Sequence, residues 1–490
     1  MEIKTASDGS HTEQTPLVVD LDGTLLRTDL FLEAALRLIK QKPSLALMFP
    51  IWLLKGRAHL KSRIFDRVQI DVSLLPLHGE LLTWLRAEKT RGRRLILATG
   101  SDDQKARSVV QPLELFDLVL GSDGERNLKG RKKLRRLVET CGDQFDYVGN
   151  SSSDLEIWKC CRHAVLVDAP KRVERSARRS AQVMQVFRTP FAGLRETLHA
   201  MRCHHWVKNL LLFVPAITSH TIFDEAVAQG AALAFLSFSF CASAAYIAND
   251  LLDLEEDRRH DVKKRRPFAS GQMSIGSGLL LALACLLAGV GIAGFVPRAF
   301  LAVLAIYIAL TCLYSFFLKR LLVVDVLTLA FLYTLRIVAG SQATGIVLSL
   351  WLLSFAFFLF LSLAFLKRAG DLVQHRANNR DIVPGRGYTT TDLDAVSIAG
   401  VCSGFLSSLV LTLYINSDSV QLLYRRPALL WGLQPILLYY ITRLWIICLR
   451  GELTDDPIEH TAREPSTYGA AVLAVLVLLA ATFDFQFFMP

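Results

Sequence analysis

The sequence predicts a multi-domain fold: an α/β domain over residues 1–190, then an all-α polytopic membrane domain of about nine transmembrane helices over residues 191–490. Three observations predict it. The hydrophobic fraction is 52% and the mean hydropathy is +0.35, more than a soluble chain of this length carries. The apolar residues are unevenly spread, with mixed polar and apolar sequence in the first two hundred positions and long apolar runs after them. The two kinds of sequence meet near Phe187–Leu198.

In the first part, Leu17-Val-Val-Asp20-Leu-Asp22-Gly23-Thr24 reads as a buried strand ending in a turn that bears two acids. Leu95-Ile-Leu-Ala-Thr99-Gly100-Ser101 reads as a second strand, ending in a hydroxyl. Residues 27–90 are helical in pattern and form a cap between the two. Within the cap, Leu45–Leu54 is apolar but too short to span a bilayer. It fits either a buried cap helix or an interfacial one, and Lys55, Arg57, Lys61 and Arg63 immediately after it favour the second.

The D-x-D-G-T of Asp20–Thr24 resembles the first motif of the haloacid dehalogenase (HAD) superfamily. Thr99, Lys133 and Asp146-Tyr-Val-Gly149-Asn150-Ser-Ser-Ser-Asp154 follow in the order of its later motifs. The resemblance implies a HAD-like (Rossmannoid) phosphatase. Asp20 would be the nucleophile and Asp22 the general acid and then base, with Thr99 on the phosphoryl oxygens. Lys133 would neutralise the charge, with Lys129 and Lys132 as rivals. Asp20, the carbonyl of Asp22, Asn150 and Asp154 would hold Mg²⁺ (magnesium). Asn150 departs from the pattern, because many members carry aspartate there.

A membrane helix needs ~20 mainly apolar residues. Candidate spans lie at 207–219 (short), 229–250, 277–296, 298–318, 321–341, 346–366, 392–414, 427–449 and 468–488. Connections rich in Lys and Arg alternate with poor ones, Arg298, Arg425 and Arg426 excepted, which orients the N-terminus inside and the C-terminus outside. Met1–Gln14 has no apolar stretch of the kind a secretory signal needs, so the N-terminal domain is expected in the cytoplasm of a cell (inner) membrane protein. Nine cysteines, with no C-x-x-C, indicate a reducing compartment. The formal charge of +10 sits beside the spans, with no aromatic-basic module, so membrane topology and anionic substrates explain it and nucleic acid does not.

At the end of the second span, Asn249, Asp250, Asp253 and Asp257 are spaced three to four residues apart and would share one helical face. Acids stacked there repel one another and need a cation, and carboxylate oxygens suit Mg²⁺ bridging to phosphates. The plain alternative is a solvated acidic helix end. This N-D-x-x-D-x-x-x-D, followed by Lys264-Arg265-Arg266-Pro267, resembles the first aspartate-rich motif of the UbiA superfamily of intramembrane prenyltransferases, in which it holds a diphosphate through Mg²⁺.

The second motif departs from the aromatic prenyltransferases, which have D-x-x-x-D where this chain has Lys367-Arg368-Ala-Gly-Asp371. Two cations in place of an acid convert part of a metal site into an anion site. With Lys208-Asn209, Tyr314, Lys319 and Arg336, the set resembles the decaprenyl-phosphate phosphoribosyltransferase branch. That resemblance implies transfer of phosphoribose from phosphoribosyl diphosphate to a polyprenyl phosphate (decaprenyl or undecaprenyl). Asp371 would complete the metal site, and Arg336 would meet the 5-phosphate or, alternatively, Asp325. Tyr314 and Trp206 serve equally as interfacial belt residues. His204, His205 and His260 read as structural or phosphate-contacting, since an ionised lipid phosphate needs no general base. The HAD domain would then remove the 5-phosphate of the product. The alternatives are prenyl transfer to an aromatic or quinone precursor and a non-catalytic anchor for a phosphatase. Self-association is left open.

Overall fold

The computed structural model describes residues 15–122, 128–189, 193–383, 385–453 and 464–482. Met1–Gln14, and Asp455, Asp456 and Arg463 of the connection after residue 443, lie outside the described residues. The chain divides into two compact units, one of residues 1–201 with 246–283 and one of residues 202–245 with 284–490.

The first unit contains a six-stranded, wholly parallel sheet in the order β3-β2-β1-β4-β5-β6. The strands are β1 Leu17–Val19, β2 Leu95–Asp102, β3 Leu118–Ser122, β4 Asp146–Gly149, β5 Ala164–Val167 and β6 Val183–Phe187. Helices cover both faces, as continuous apolar strands demand. The period of two divides β1 between them. Leu17 and Val19 pack with α1 (Leu30–Gln41), α3 (Arg57–Phe65), α4 (Gly79–Thr90) and α5 (Asp103–Val110). Val18 packs on the other face with α6 (Arg131–Cys141), α7 (Leu155–Trp158) and α8 (Lys171–Ser180). Strand order reverses at β1, so the carboxyl ends of β1, β2 and β4 open onto the crevice where such sheets bind ligands.

The helical insertion between β1 and β2 is present as α1, α2 (Phe49–Leu54), α3 and α4. Asp29 starts α1 by accepting the Leu32 amide. In the apolar stretch ending at Leu54, Trp52 is buried while Leu47 and Leu54 are exposed.

The short helix α9 (Leu194–Ala200) follows the sheet. Eight helices are long and apolar enough to cross a membrane among the described residues. With the labels used below they include α11 (Glu225–Leu252), α13 (Ile275–Ala293), α14 (Arg298–Phe316), α15 (Val324–Thr344) and α16 (Leu350–Ala377). The other three are Thr390–Ile415, whose α-helical part is α17 (Leu393–Ile415), then, after the short α18 (Asp418–Leu423), Pro427–Leu449, whose α-helical part is α19 (Leu433–Leu449), and α20 (Pro465–Thr482). The expected count of nine needs correction at its first member. Residues 207–219 form no long helix but a 3₁₀ segment, Cys203–Phe213, and a five-residue α10 (Val214–Thr218). Pro215, which brings no amide hydrogen, sits at the junction. A Cβ on Gly340 of α15 would lie 2.0 Å from the Leu212 carbonyl, so only glycine lets that helix meet the segment backbone so closely.

Candidate functional site

At the carboxyl end of β1, Asp20 is buried and takes Lys133 Nζ at 2.7 Å from α6. Burial pushes the Asp20 carboxyl up to about 7, against the pull of the Lys133 ammonium. Burial would lower Lys133, but the carboxylates of Asp20, Asp154 and Asp22 outweigh it and hold the lysine above its ordinary value. Lys129 and Lys132 are exposed. Asp22 is fixed on both oxygens: Oδ2 accepts from Ser101 Oγ at 2.5 Å and Thr99 Oγ1 at 3.3 Å, and Oδ1 accepts the Leu30 amide at 3.0 Å. Asp154 accepts from the Asn150 and Ser151 amides, the Ser151 hydroxyl and the Tyr147 hydroxyl. The Tyr147 hydroxyl also accepts from Lys133 at 3.1 Å. Gly23, at φ +72°, brings the turn so close to Asn150 that a Cβ there would lie 2.2 Å from the amide nitrogen.

The structure thus gathers Asp20, Asp22, Thr99, Lys133, Asn150 and Asp154 at one end of the sheet. Three further side chains join them that sequence reasoning had not assigned to this place. Ser101 and Tyr147 stand inside the quoted motifs, and alternation along their strands was the available signal. Lys61 of α3 reaches across to the Gly100 carbonyl at 2.8 Å, a tertiary contact without a sequence signal.

The same compact unit holds the acidic motif. The helix expected to carry all four side chains breaks at Asp253, which is the N-cap of α12 (Leu254–Arg259). Hydrogen bonds from the Asp253 amide to Asn249 and from the Asp257 amide to Asp253 keep the i to i−4 spacing through the break. Asp250 and Asp257 are both buried, and one guanidinium nitrogen of Arg266 serves them at 3.2 and 2.6 Å. Burial pushes Asp257 up to about 6 despite Arg266. Asn249 Nδ2 donates to Asp253 at 3.0 Å, and Lys40 of α1 lies 2.7 Å from the other Asp253 oxygen. Lys264 and Arg265 are exposed on a 3₁₀ turn, so of the three expected cations Arg266 alone turns onto these acids.

Among the described residues, no three Asp, Glu, His or Cys side chains are gathered as a metal cage. The donors of both acidic clusters are oxygens, the kind a hard cation takes, and each cluster is neutralised in part by protein cations, Lys133 in the first and Arg266 and Lys40 in the second. The residues therefore fit Mg²⁺ by donor chemistry, and Lys133, Arg266 and Lys40 are the cations beside which a metal would sit.

In the second unit, Arg368 of α16 is almost fully buried and does not offer an open anion site. Its Nε lies 2.6 Å from Asp325 Oδ2, Nη1 2.5 Å from Asp371 Oδ2 and Nη2 3.4 Å from the Tyr314 hydroxyl. The Tyr388 hydroxyl donates to Asp325 at 2.6 Å, and Arg386 reaches the Tyr314 hydroxyl at 2.8 Å. Tyr314 therefore faces inward polar partners, not a membrane surface. Lys367 is half-buried beside Arg368, and Lys319 is half-buried on the turn after α14.

Asp325, the alternative partner considered for Arg336, belongs to this Arg368 cluster instead. Arg336 is buried and bonds neutral oxygens: Asn209 Oδ1 at 2.9 Å, the Leu332 carbonyl at 2.7 Å and the Tyr307 hydroxyl at 3.2 Å. Phe238, Tyr307 and Tyr333 present their rings to its guanidinium at 5.1–5.5 Å. Lys208, from the 3₁₀ segment, is 5.9 Å from the Tyr333 ring. Tyr307, Tyr333, Tyr388 and Arg386 were not assigned to the site from sequence. The rings of His204 and His205 lie tilted against each other with centroids 4.3 Å apart, and Trp206 donates to Ser243 at 3.0 Å.

Comparison with known proteins supplies the family. The UbiA prenyltransferase family model matches residues 211–443. An uncharacterised protein of Sinorhizobium fredii, y4nM, is 33% identical over 482 residues, spanning 97% of this chain and 93% of that one. The decaprenyl-phosphate phosphoribosyltransferase of Corynebacterium glutamicum is 35% identical over 201 residues, covering 40% of this chain and 60% of its own length. Among solved structures, a UbiA homologue from Archaeoglobus fulgidus bound to DMAPP and Mg2+ aligns with 58% of this chain and 97% of its own, at 17% identity and a TM-score of 0.44. This multi-pass membrane protein belongs to the UbiA prenyltransferase family.

Proposed function

We propose that the chain is a bifunctional membrane enzyme that moves 5-phosphoribose from phosphoribosyl diphosphate to a polyprenyl phosphate and then removes the 5-phosphate. The observation that carries the first half is in the sequence, where Lys367 stands at the first carboxylate position of the second acidic motif while the first motif is complete. The partial likeness to a decaprenyl-phosphate phosphoribosyltransferase supports it.

Asp250, Asp253 and Asp257, with Asn249 beside them, would hold Mg²⁺, which supplies charge neutralisation to the departing diphosphate. Arg266, already drawn to Asp250 and Asp257, can turn its remaining donors to diphosphate oxygens as charge builds there. Lys367 is the cation proposed to meet a substrate phosphate; its neighbour Arg368 pairs with Asp325 and Asp371. Arg336 has neutral hydrogen-bond partners, and its charge remains for an anion. The acceptor phosphate arrives ionised and attacks the anomeric carbon without a base.

In the soluble domain, Asp20 would attack the 5-phosphate ester as its carboxylate, with Lys133 bonded to it and offsetting the charge of the phosphoryl group. Asp22 would protonate the leaving ribose oxygen and then accept a proton from water. Ser101 and the Leu30 amide hold it in place for both steps. The test is diphosphate release by the purified full-length protein, given phosphoribosyl diphosphate and Mg²⁺ with or without polyprenyl phosphate. Release that depends on the lipid supports the reading, and release indifferent to it rejects the acceptor.

A further inference from the structure

We propose that Lys40, carried by the soluble domain, is a positioning residue of the transferase's aspartate motif that sets its affinity for a divalent cation. The proposal rests on the metal assignment made above.

Helix α1 presents Glu33, Arg37 and Lys40 on one face, at i, i+4 and i+7. Each meets an opposite charge of the segment that bears the motif. Glu33 takes both terminal nitrogens of Arg258, at 2.6 and 2.9 Å, in a pair whose side chains are less than one-tenth exposed. Arg37 pairs with Glu255. Lys40 Nζ lies 2.7 Å from Asp253 Oδ1 and 2.5 Å from Glu256 Oε2. Arg259 adds a pair with Asp71 at 3.1 Å. Five ion pairs, four of them made by side chains of this twelve-residue helix, fix one register between it and the motif segment.

The buried Glu33–Arg258 pair anchors the contact, and its bidentate geometry leaves little freedom. Lys40 is the member that touches a proposed metal ligand. While it holds Asp253, a divalent cation must displace an ammonium to take that oxygen, and it then sits beside a like charge. Removing the ammonium lifts both penalties. A residue with a purely structural role would do the opposite, since its loss would loosen the motif and weaken metal binding.

The experiment is a Mn²⁺ titration followed by electron paramagnetic resonance, on the full-length protein in detergent and without lipid substrate. Asp250→Asn identifies the component that belongs to the motif, separating it from any Mn²⁺ held by the soluble domain. For that component Lys40→Met should bind roughly two- to fivefold tighter, the range a partly exposed ion pair supports, and Lys40→Arg should restore wild-type affinity. Unchanged or weaker binding in Lys40→Met, with the component present and lost in Asp250→Asn, overturns the proposal alone. A titration that Asp250→Asn leaves untouched defeats the metal assignment, and the proposal with it.

Discussion

Replacing Arg368 by methionine separates two roles for the cations of the altered second motif. The side chain is buried and its guanidinium is divided between Asp325, itself fully buried, and Asp371. Arg368→Met keeps the volume but leaves Asp325 without its main counter-charge. Removing one member of such a pair costs about 3–5 kcal/mol. The Tyr388 hydroxyl at 2.6 Å and Arg386 at 3.8 Å remain, which places the expectation near the lower end, about 3 kcal/mol. Asp325→Asn/Arg368→Met should recover most of that loss, because no uncompensated charge is left behind. The assay is unfolding of the detergent-solubilised protein by increasing dodecyl sulfate fraction, read by circular dichroism for wild type, both single variants and the double variant. A single Arg368→Met variant within about 0.5 kcal/mol of wild type, but with much weaker donor binding, would refute the reasoning and make Arg368 a substrate ligand.

Asp250→Ala and Asp253→Ala should each abolish lipid labelling from radioactive phosphoribosyl diphosphate, and near-normal transfer in both would end the metal assignment. Asp20→Asn should leave transfer intact but make the product accumulate with its 5-phosphate, as read by phosphate release and lipid mass; equal products from wild type and variant would remove the second step. A third prediction concerns topology. The Glu33–Arg258 pair joins the N-terminal domain to the connection after α11, and if α11 spans the bilayer we expect Cys203–Thr218 to cross it as well. Eleven residues of 3₁₀ rise and five of α rise give about 30 Å, enough for the hydrocarbon core. A reporter at the C-terminus should therefore lie on the opposite face from one at the N-terminus, and a shared face would contradict this crossing.

What the sequence made legible follows from strong, local signals. The buried strands at Leu17–Val19 and Leu95–Asp102, the helical insertion between them and eight apolar helices all announce themselves by run length and period. The segment at 203–218 escaped a helix reading of the right kind, because 3₁₀ rise covers the same distance with fewer residues and leaves no 18-residue apolar window. The acidic motif was legible in spacing, whereas its break at Asp253 and its counter-cations were not. Lys40 lies more than two hundred positions from Asp253, and no local pattern links them. The same holds for Asp325 and Arg368, 43 residues apart, and for Lys61 over Gly100. Reading Lys367-Arg368 as two open cations overlooked that a buried arginine seeks carboxylates first. Lys133 could be told from Lys129 and Lys132 only once α6 had placed it over Asp20.

In the proposed reaction ribose, with its 5-phosphate, leaves its diphosphate for a lipid phosphate. One dual-label measurement tests it: phosphoribosyl diphosphate carrying one isotope in the ribose and another in the diphosphate, incubated with the Asp20→Asn protein, polyprenyl phosphate and Mg²⁺, then extracted into organic solvent. The ribose label should enter the lipid phase and the diphosphate label should stay in the water. Both labels in the water, with a supplied prenyl diphosphate and aromatic acceptor joined instead, would contradict it.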